Sequence, residues 1–68
     1  MKILVTGASG MLGRAVARDA VQNGHDVRTF QRGVSGVEGA RDVRGSITDL
    51  ASIRQAVDGV DAVIHLAA

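Results

Sequence analysis

The sequence predicts an α/β fold: a mostly parallel, doubly wound sheet in the order strand-helix-strand-strand-helix-strand. Three observations carry that prediction. Two short runs, Ile3-Leu4-Val5 near the start and Ala62-Val63-Ile64-His65-Leu66 near the end, are apolar without alternation, as strands covered on both faces are. Between them, Met11 to Asn23 and the stretch from Leu50 to Gly59 carry apolar residues at helical spacing. Ten Val, ten Ala and nine Gly among 68 residues suit a buried parallel sheet with helices lying close to it.

Taken in order, Ile3-Leu4-Val5 is a central strand that ends at Thr6-Gly7, and Ala8 to Gly10 is a turn of small residues. In the helix that follows, Leu12, Val16 and Ala20 share one stripe with Ala15 beside it, while Arg14, Arg18 and Gln22 fall on the other side. Asn23-Gly24 closes this helix, because glycine readily takes the left-handed conformation a helix end needs. His25 to Gln31 sets Val27, Thr29 and Gln31 against Arg28 and Phe30 and reads as a second strand. Gly33 to Gly39 has three glycines within seven residues before Ala40, the composition of a mobile loop, if Gly33 is counted with Gly36 and Gly39. Only Val43 supports a third strand between Ala40 and Gly45. Thr48 or Asp49 caps the second helix, Leu50, Ile53 and Val57 form its buried face, and Gly59 stops it. Ala62 to Leu66 is the last buried strand. Right-handed crossovers turn this order into half of a doubly wound sheet with the first strand near its centre. An edge strand without its neighbour exposes backbone groups, so the fold reads as incomplete.

Composition narrows the function classes. A chain this short buries only about 60% of its unfolded surface, so its core is marginal. Zero Cys excludes disulfides, and His25 and His65 are too few for an ordinary zinc site. A cysteine-free chain suits the cytoplasm. The net charge is +1 with interleaved signs, and Phe30 is the sole aromatic, so no nucleic-acid partner is expected. No apolar stretch approaches the ~20 residues of a membrane span. The start, Met1-Lys2-Ile3-Leu4-Val5-Thr6, has too short an apolar core for a signal peptide. No internal repeat or linker divides residues 1–68.

The segment that carries chemistry is Thr6-Gly7-Ala8-Ser9-Gly10-Met11-Leu12-Gly13, between a buried strand and an amphipathic helix. Gly7 lets the strand turn sharply, Gly10 leaves room for a pyrophosphate against the backbone, and Gly13 lets helix and strand pack closely. The helix N-terminus supplies unpaired N–H groups and the positive end of its dipole, which together form an anion site. The general dinucleotide fingerprint is G-x-G-x-x-G, whereas the spacing here is G-x-x-G-x-x-G, with Ala8 where an earlier glycine would be expected. A glycine-rich turn that binds nothing is the alternative. The context of strand before, helix after and a second strand at the expected offset favours binding.

Three motifs in order, Met1 to Gly13, Gly24-His25-Asp26-Val27, and Gly59-Val60-Asp61-Ala62-Val63-Ile64-His65-Leu66-Ala67-Ala68, give a resemblance over the full length. The chain resembles the N-terminal part of an extended short-chain dehydrogenase/reductase, the group that includes NAD(P)-dependent sugar-nucleotide epimerases and dehydratases. The resemblance implies a partial Rossmann fold. It also implies that Gly7, Gly10 and Gly13 surround the cofactor pyrophosphate and that Ser9, Met11 and Leu12 offer contacts. Ala67 and Ala68 would line the cofactor beyond the fourth strand. His65, in an otherwise apolar strand, reads as structural rather than catalytic, and His25 as a turn residue.

The end of the second strand selects the nucleotide. A carboxylate there bonds the ribose 2′-hydroxyl of NAD and repels a 2′-phosphate. This chain has Gln31-Arg32, about 20 residues beyond the glycine turn, and a guanidinium can clasp a phosphate through two parallel hydrogen bonds. The expectation is NADP ahead of NAD, with NAD still admitted, Arg32 as the reader and Arg14 as a helper. The bland alternative is a solvated Arg32 that merely opens a loop. Related chains often carry Gly-Asp-hydrophobic after the third strand, where the Asp meets the adenine amino group. Here Gly45-Ser46-Ile47 puts Ser46 in that place, a shorter and uncharged side chain, while Ile47 could pack on the ring. Asp49 reads as a helix cap.

In such enzymes a Tyr works as acid/base, a Lys four residues later lowers its pKa, and a Ser or Thr orients the substrate oxygen. There is no Tyr in this chain, and Lys2 is its sole lysine, so no catalytic residue is assigned. The chain therefore reads as the cofactor-holding portion of a longer oxidoreductase or epimerase/dehydratase, whose small-molecule substrate and any oligomer contacts lie elsewhere. The alternatives are a non-catalytic NAD(P)-binding regulator of similar fold and a minimal folding fragment.

Overall fold

Alternation of buried residues between two faces organises the structure, a computed structural model that describes residues 1–66. Ala67 and Ala68, expected to line the cofactor, lie outside the described residues. The elements are β1 (Lys2–Thr6), α1 (Met11–Gln22), β2 (Asp26–Gln31), β3 (Arg41–Arg44), α2 (Leu50–Val57) and β4 (Ala62–His65). The four strands run parallel in the order β3-β2-β1-β4, so β1 is interior, as the crossover rule predicts. In register, Thr6 lies beside Phe30 on one side and His65 on the other. Ile3, Val5 and Val27 point to the face covered by Ala17 and Ala20 of α1, while Leu4 and Phe30 point to the face covered by Ala56 of α2. Leu4 and Val5 are almost wholly buried, each contributing about 2 kcal/mol of apolar burial.

Both helices sit rotated from the expected stripe. In α1 the buried residues are Gly13, Ala17 and Ala20, with Val16 and Val21 partly covered; Leu12 is 66% exposed and Ala15 is also exposed. The helix turns its smallest side chains to the sheet because Gly13 packs directly on the backbone of the preceding turn, which fixes the rotation. In α2, Ala56 is buried and Ile53 partly so, whereas Leu50 and Val57 of the expected face are exposed. Likewise β4 is not the fully buried strand its composition suggests. It forms one edge of the sheet and alternates between partly buried and exposed, with Val63 and His65 exposed. Its run is apolar on both faces, but among the described residues no helix lies across Val63.

The helix ends are closed by local chemistry. At the end of α1, Gly24 N–H donates to the Val21 carbonyl (3.0 Å) and His25 N–H to the Ala20 carbonyl (3.2 Å), the paired bonds of a Schellman motif. Asp49 caps α2: its carboxylate accepts from the Ser52 hydroxyl (2.7 Å), the main cause that holds its carboxyl below the usual value, and from Ala51 N–H (3.1 Å). The far end of α2 is held from the sheet, since Arg28 Nη1 donates to the carbonyls of Ala56 (2.9 Å) and Asp58 (2.8 Å). A cation on the last carbonyls of a helix complements its dipole. Arg28→Met keeps the aliphatic stem and removes both bonds, so it should lower the unfolding free energy by about 1 to 2 kcal/mol, read by urea titration.

The segment expected to be a mobile loop is instead packed. Ser35 is fully buried and Val37 joins the core under α1. Asp42 of β3 gathers three donors: the Thr29 hydroxyl (2.6 Å), the Ser35 hydroxyl (2.7 Å) and the Ser35 N–H (3.1 Å). The Ser35 oxygen then accepts from Val37 N–H (3.1 Å), and Arg14 Nε donates to the Ser35 carbonyl (3.1 Å). Glycines give this segment its turns, but buried side chains and one carboxylate fix its path.

Candidate functional site

The carboxyl ends of β1, β2 and β3 open together, and between them lies a cleft of about 340 Å³. Gly7 and Ser9 of the first turn border it, with Phe30, Gln31, Arg32 and Gly33 from the end of β2, and Gly45, Ser46 and Ile47 beyond β3. In open parallel sheets, ligands bind in the crevice outside these strand ends.

The turn after β1 is built by two glycines with different tasks. Gly7 has φ 75°, a left-handed conformation that a side chain would strain, and its N–H donates to the Phe30 carbonyl (3.2 Å). Gly13 faces that turn from the first coil of α1. A Cβ there would overlap the Gly7 carbonyl oxygen and stand 2.8 Å from its carbon and 2.9 Å from Ala8 Cα. Backbone cannot yield as a flexible side chain does, so only glycine lets the helix start this close to the strand. Gly10 is the N-cap of α1, no side chain caps this end, and no acid stands in its first turn. The first N–H groups of α1 therefore face outward beside the cleft, where an anion would complement them. Met11 is 92% exposed and Leu12 stands out beside it.

Gln31 is 7% exposed; its Nε2 donates to the Gly33 carbonyl (3.1 Å), and its Oε1 is buried without a partner. A buried acceptor left unpaired is uncommon in a folded protein. Arg32, by contrast, is exposed at the mouth of the cleft. Arg14 lies nearby but its guanidinium is engaged: beyond the Ser35 bond, Nη2 donates to the Ser9 carbonyl (3.3 Å). It staples the glycine turn to the β2–β3 segment. The Ser46 hydroxyl pairs with that of Thr48 (2.8 Å) and accepts from Thr48 N–H (3.3 Å), turned toward the start of α2. Ile47 is half exposed over the cleft.

Gly7, Ser9, Gln31, Arg32, Ser46 and Ile47 thus converge on one cleft, whereas Gly10, Met11, Leu12 and Gly13 adjoin it at the helix start. Sequence reasoning missed Phe30, Gly33 and Gly45 as lining residues. Phe30 also reaches the α2 face, so its side chain forms a wall between this cleft and a second one on that side. The second cleft, about 320 Å³, is nearly all apolar, from Leu4, Ile53 and Val63 to Ile47, with His65 at its edge. Thr6 fixes His65: the Thr6 hydroxyl oxygen accepts from Leu66 N–H (3.1 Å) and the same hydroxyl shares a hydrogen bond with His65 Nδ1 (2.7 Å). That bond ties the ends of β1 and β4 together and fits a structural role. Among the described residues, no cluster of His, Asp or Glu could hold a metal, and no helix is long and apolar enough to cross a membrane.

A model of the NAD dependent epimerase/dehydratase family matches residues 3–68. The chain belongs to that family. Over 96% of its length it is 46% identical to the 2-alkyl-3-oxoalkanoate reductase of Stenotrophomonas maltophilia, of which it spans 21%. A short-chain dehydrogenase/reductase superfamily protein of Agrobacterium tumefaciens, crystallised with bound NAD, superposes on all of it with a TM-score of 0.92 and 43% identity; the chain spans 20% of that structure. UDP-glucose 4-epimerase also covers the whole chain, with a TM-score of 0.90 at 28% identity, the chain spanning 23% of it. The sheet of this epimerase/dehydratase chain is thus that of the NAD-binding Rossmann fold of its family, and the chain spans roughly a fifth of the relatives it matches.

Proposed function

We propose that residues 1–68 are the N-terminal half of an NAD(P)-binding Rossmann domain in a longer oxidoreductase or epimerase/dehydratase, and that NADP is preferred to NAD. One observation carries this reading: the residues expected from sequence at three separate places line one cleft beside an uncapped helix N-terminus. The cleft falls within the volume range of small-ligand sites. The close approach of α1 to the glycine turn that Gly13 permits, and the unpaired acceptor of Gln31, both fit a dinucleotide.

In this arrangement Gly7, Gly10 and the N–H groups of Met11, Leu12 and Gly13 receive the pyrophosphate. Adenosine occupies the cleft, with Ile47 against the ring and Ser46 near its edge. Because Ser46 is already bonded to Thr48, its adenine contact runs through the backbone or through water. Ser9, Gln31 and Arg32 surround the ribose, Arg32 taking the 2′-phosphate, and Ala67 and Ala68 line the cofactor farther along. Bound there, the dinucleotide supplies hydride transfer at its nicotinamide. The acid/base Tyr and its Lys partner, and the small-molecule substrate, belong to the remainder of the protein. The absence of cysteine supports a cytoplasmic location within this proposal.

Arg32→Ala in the full-length protein tests the cofactor preference. Loss of one charge-assisted phosphate contact should weaken NADP binding about tenfold or more and leave NAD within about twofold. Calorimetric dissociation constants for both cofactors decide it, and an unchanged NADP/NAD ratio would show that Arg32 reads nothing.

A further inference from the structure

We infer that Arg44, at the end of β3, is a second specificity-determining residue, which closes with Arg32 on the 2′-phosphate of the cofactor. The inference rests on the NADP reading above. Its basis is the register of β2 and β3, which sets Arg44 directly beside Gln31 and one step from Arg32. From there Arg44 Nε donates to the Arg32 carbonyl (3.4 Å), so the guanidinium is tethered to the backbone of the residue expected to meet the phosphate. The next residue, Gly45, lines the adenosine cleft, and its N–H donates to the Gln31 carbonyl (3.0 Å), which locks the two strand ends together.

The electrostatics agree. The position between the two arginines is held by a neutral amide, Gln31, where a carboxylate would have repelled a phosphate. The nearest acid on the same side of β3 is Asp42, whose carboxylate is already bonded to the Thr29 and Ser35 hydroxyls and to Ser35 N–H. Arg44 adds a favourable charge to it without being bonded to it. Both guanidiniums are exposed, so water and salt screen their mutual repulsion. A dianionic phosphate monoester between them relieves that repulsion and offers oxygens to two forks. A ribose hydroxyl gives neither benefit, so Arg44 acts on NADP and not on NAD.

The test is calorimetry on the full-length protein with 2′,5′-ADP and 5′-AMP, ligands that differ only in the phosphate concerned. Wild type should bind 2′,5′-ADP at least about tenfold more tightly. Arg44→Ala should remove about tenfold of that preference while leaving 5′-AMP within about twofold, which also reports an intact fold. Arg44→Lys should restore only part, since an ammonium lacks the planar fork. If Arg32→Ala removes the preference and Arg44→Ala does not, the Arg44 proposal fails alone. If Arg44→Ala weakens both ligands equally, its role is structural and the proposal fails. If wild type shows no preference for 2′,5′-ADP, the NADP reading and the Arg44 proposal fall together.

Discussion

Gly13→Ala should lower the stability of the full-length protein by about 3 kcal/mol and reduce dinucleotide affinity at least about tenfold. The added methyl would meet the Gly7 carbonyl group and Ala8 Cα, all backbone atoms of the turn that receives the pyrophosphate in the proposed arrangement. Relief requires either lifting α1 from the sheet or flattening the turn. The first opens the core around Ala17 and Ala20, and the second disturbs the Gly7 N–H bond to Phe30. Because helix position and turn shape are one constraint, stability and binding should fall together. Gly33→Ala is the control: no atom lies within 4 Å of the added Cβ, so a change within about 0.5 kcal/mol is expected. Urea titration on both variants and cofactor calorimetry on Gly13→Ala against wild type provide the comparison, and a stable, fully binding Gly13→Ala protein would refute the close-packing account.

Asp42→Ala should cost about 2 kcal/mol and loosen residues 33–39. Its carboxylate serves the hydroxyls of Thr29 and Ser35, both fully buried, and the Ser35 N–H. Removing it leaves donors with no protein acceptor, although Asp42 itself is exposed and water can replace part of the loss. The bond from Arg14 to the Ser35 carbonyl would then anchor a moving segment, so the glycine turn should loosen as well. Hydrogen exchange should show faster exchange at Ser35 and Val37 in the variant. The pH dependence has a definite sign. The Ser35 and Thr29 hydroxyl bonds hold the Asp42 carboxyl below its usual 3.8. A carboxyl whose pKa is depressed by folding stabilises the fold above its unfolded value, and that stabilisation is lost as pH falls through the folded one. Asp42→Asn should therefore differ from wild type at neutral pH and converge with it in acid.

The fold was readable because its signals are local. A change from strand to helix periodicity across Thr6 to Met11 marks the turn, and Asn23-Gly24 closes the helix by bonds within five residues. The cleft was readable for the same reason at Gly7, Gln31, Arg32 and Ser46, each next to a strand end. Helix rotation was not, because side-chain hydrophobicity favours Leu12 and Leu50 while close packing favours Gly13 and Ala56. Nor was the order of residues 33–39. It depends on Asp42 meeting Thr29, thirteen residues away in sequence, through a strand register that composition does not encode. Arg28 reads as one exposed residue of an alternating strand, yet it closes the end of α2, 28 residues on at Ala56.

The most direct test of the central claim is a crystal structure of the full-length protein with NADP. The pyrophosphate should lie at the N-terminus of α1 against Gly7, Gly10 and Gly13, the adenine beside Ile47 and the 2′-phosphate within hydrogen-bond reach of Arg32. A dinucleotide bound elsewhere, or adenosine outside the cleft between β2 and β3, would contradict it.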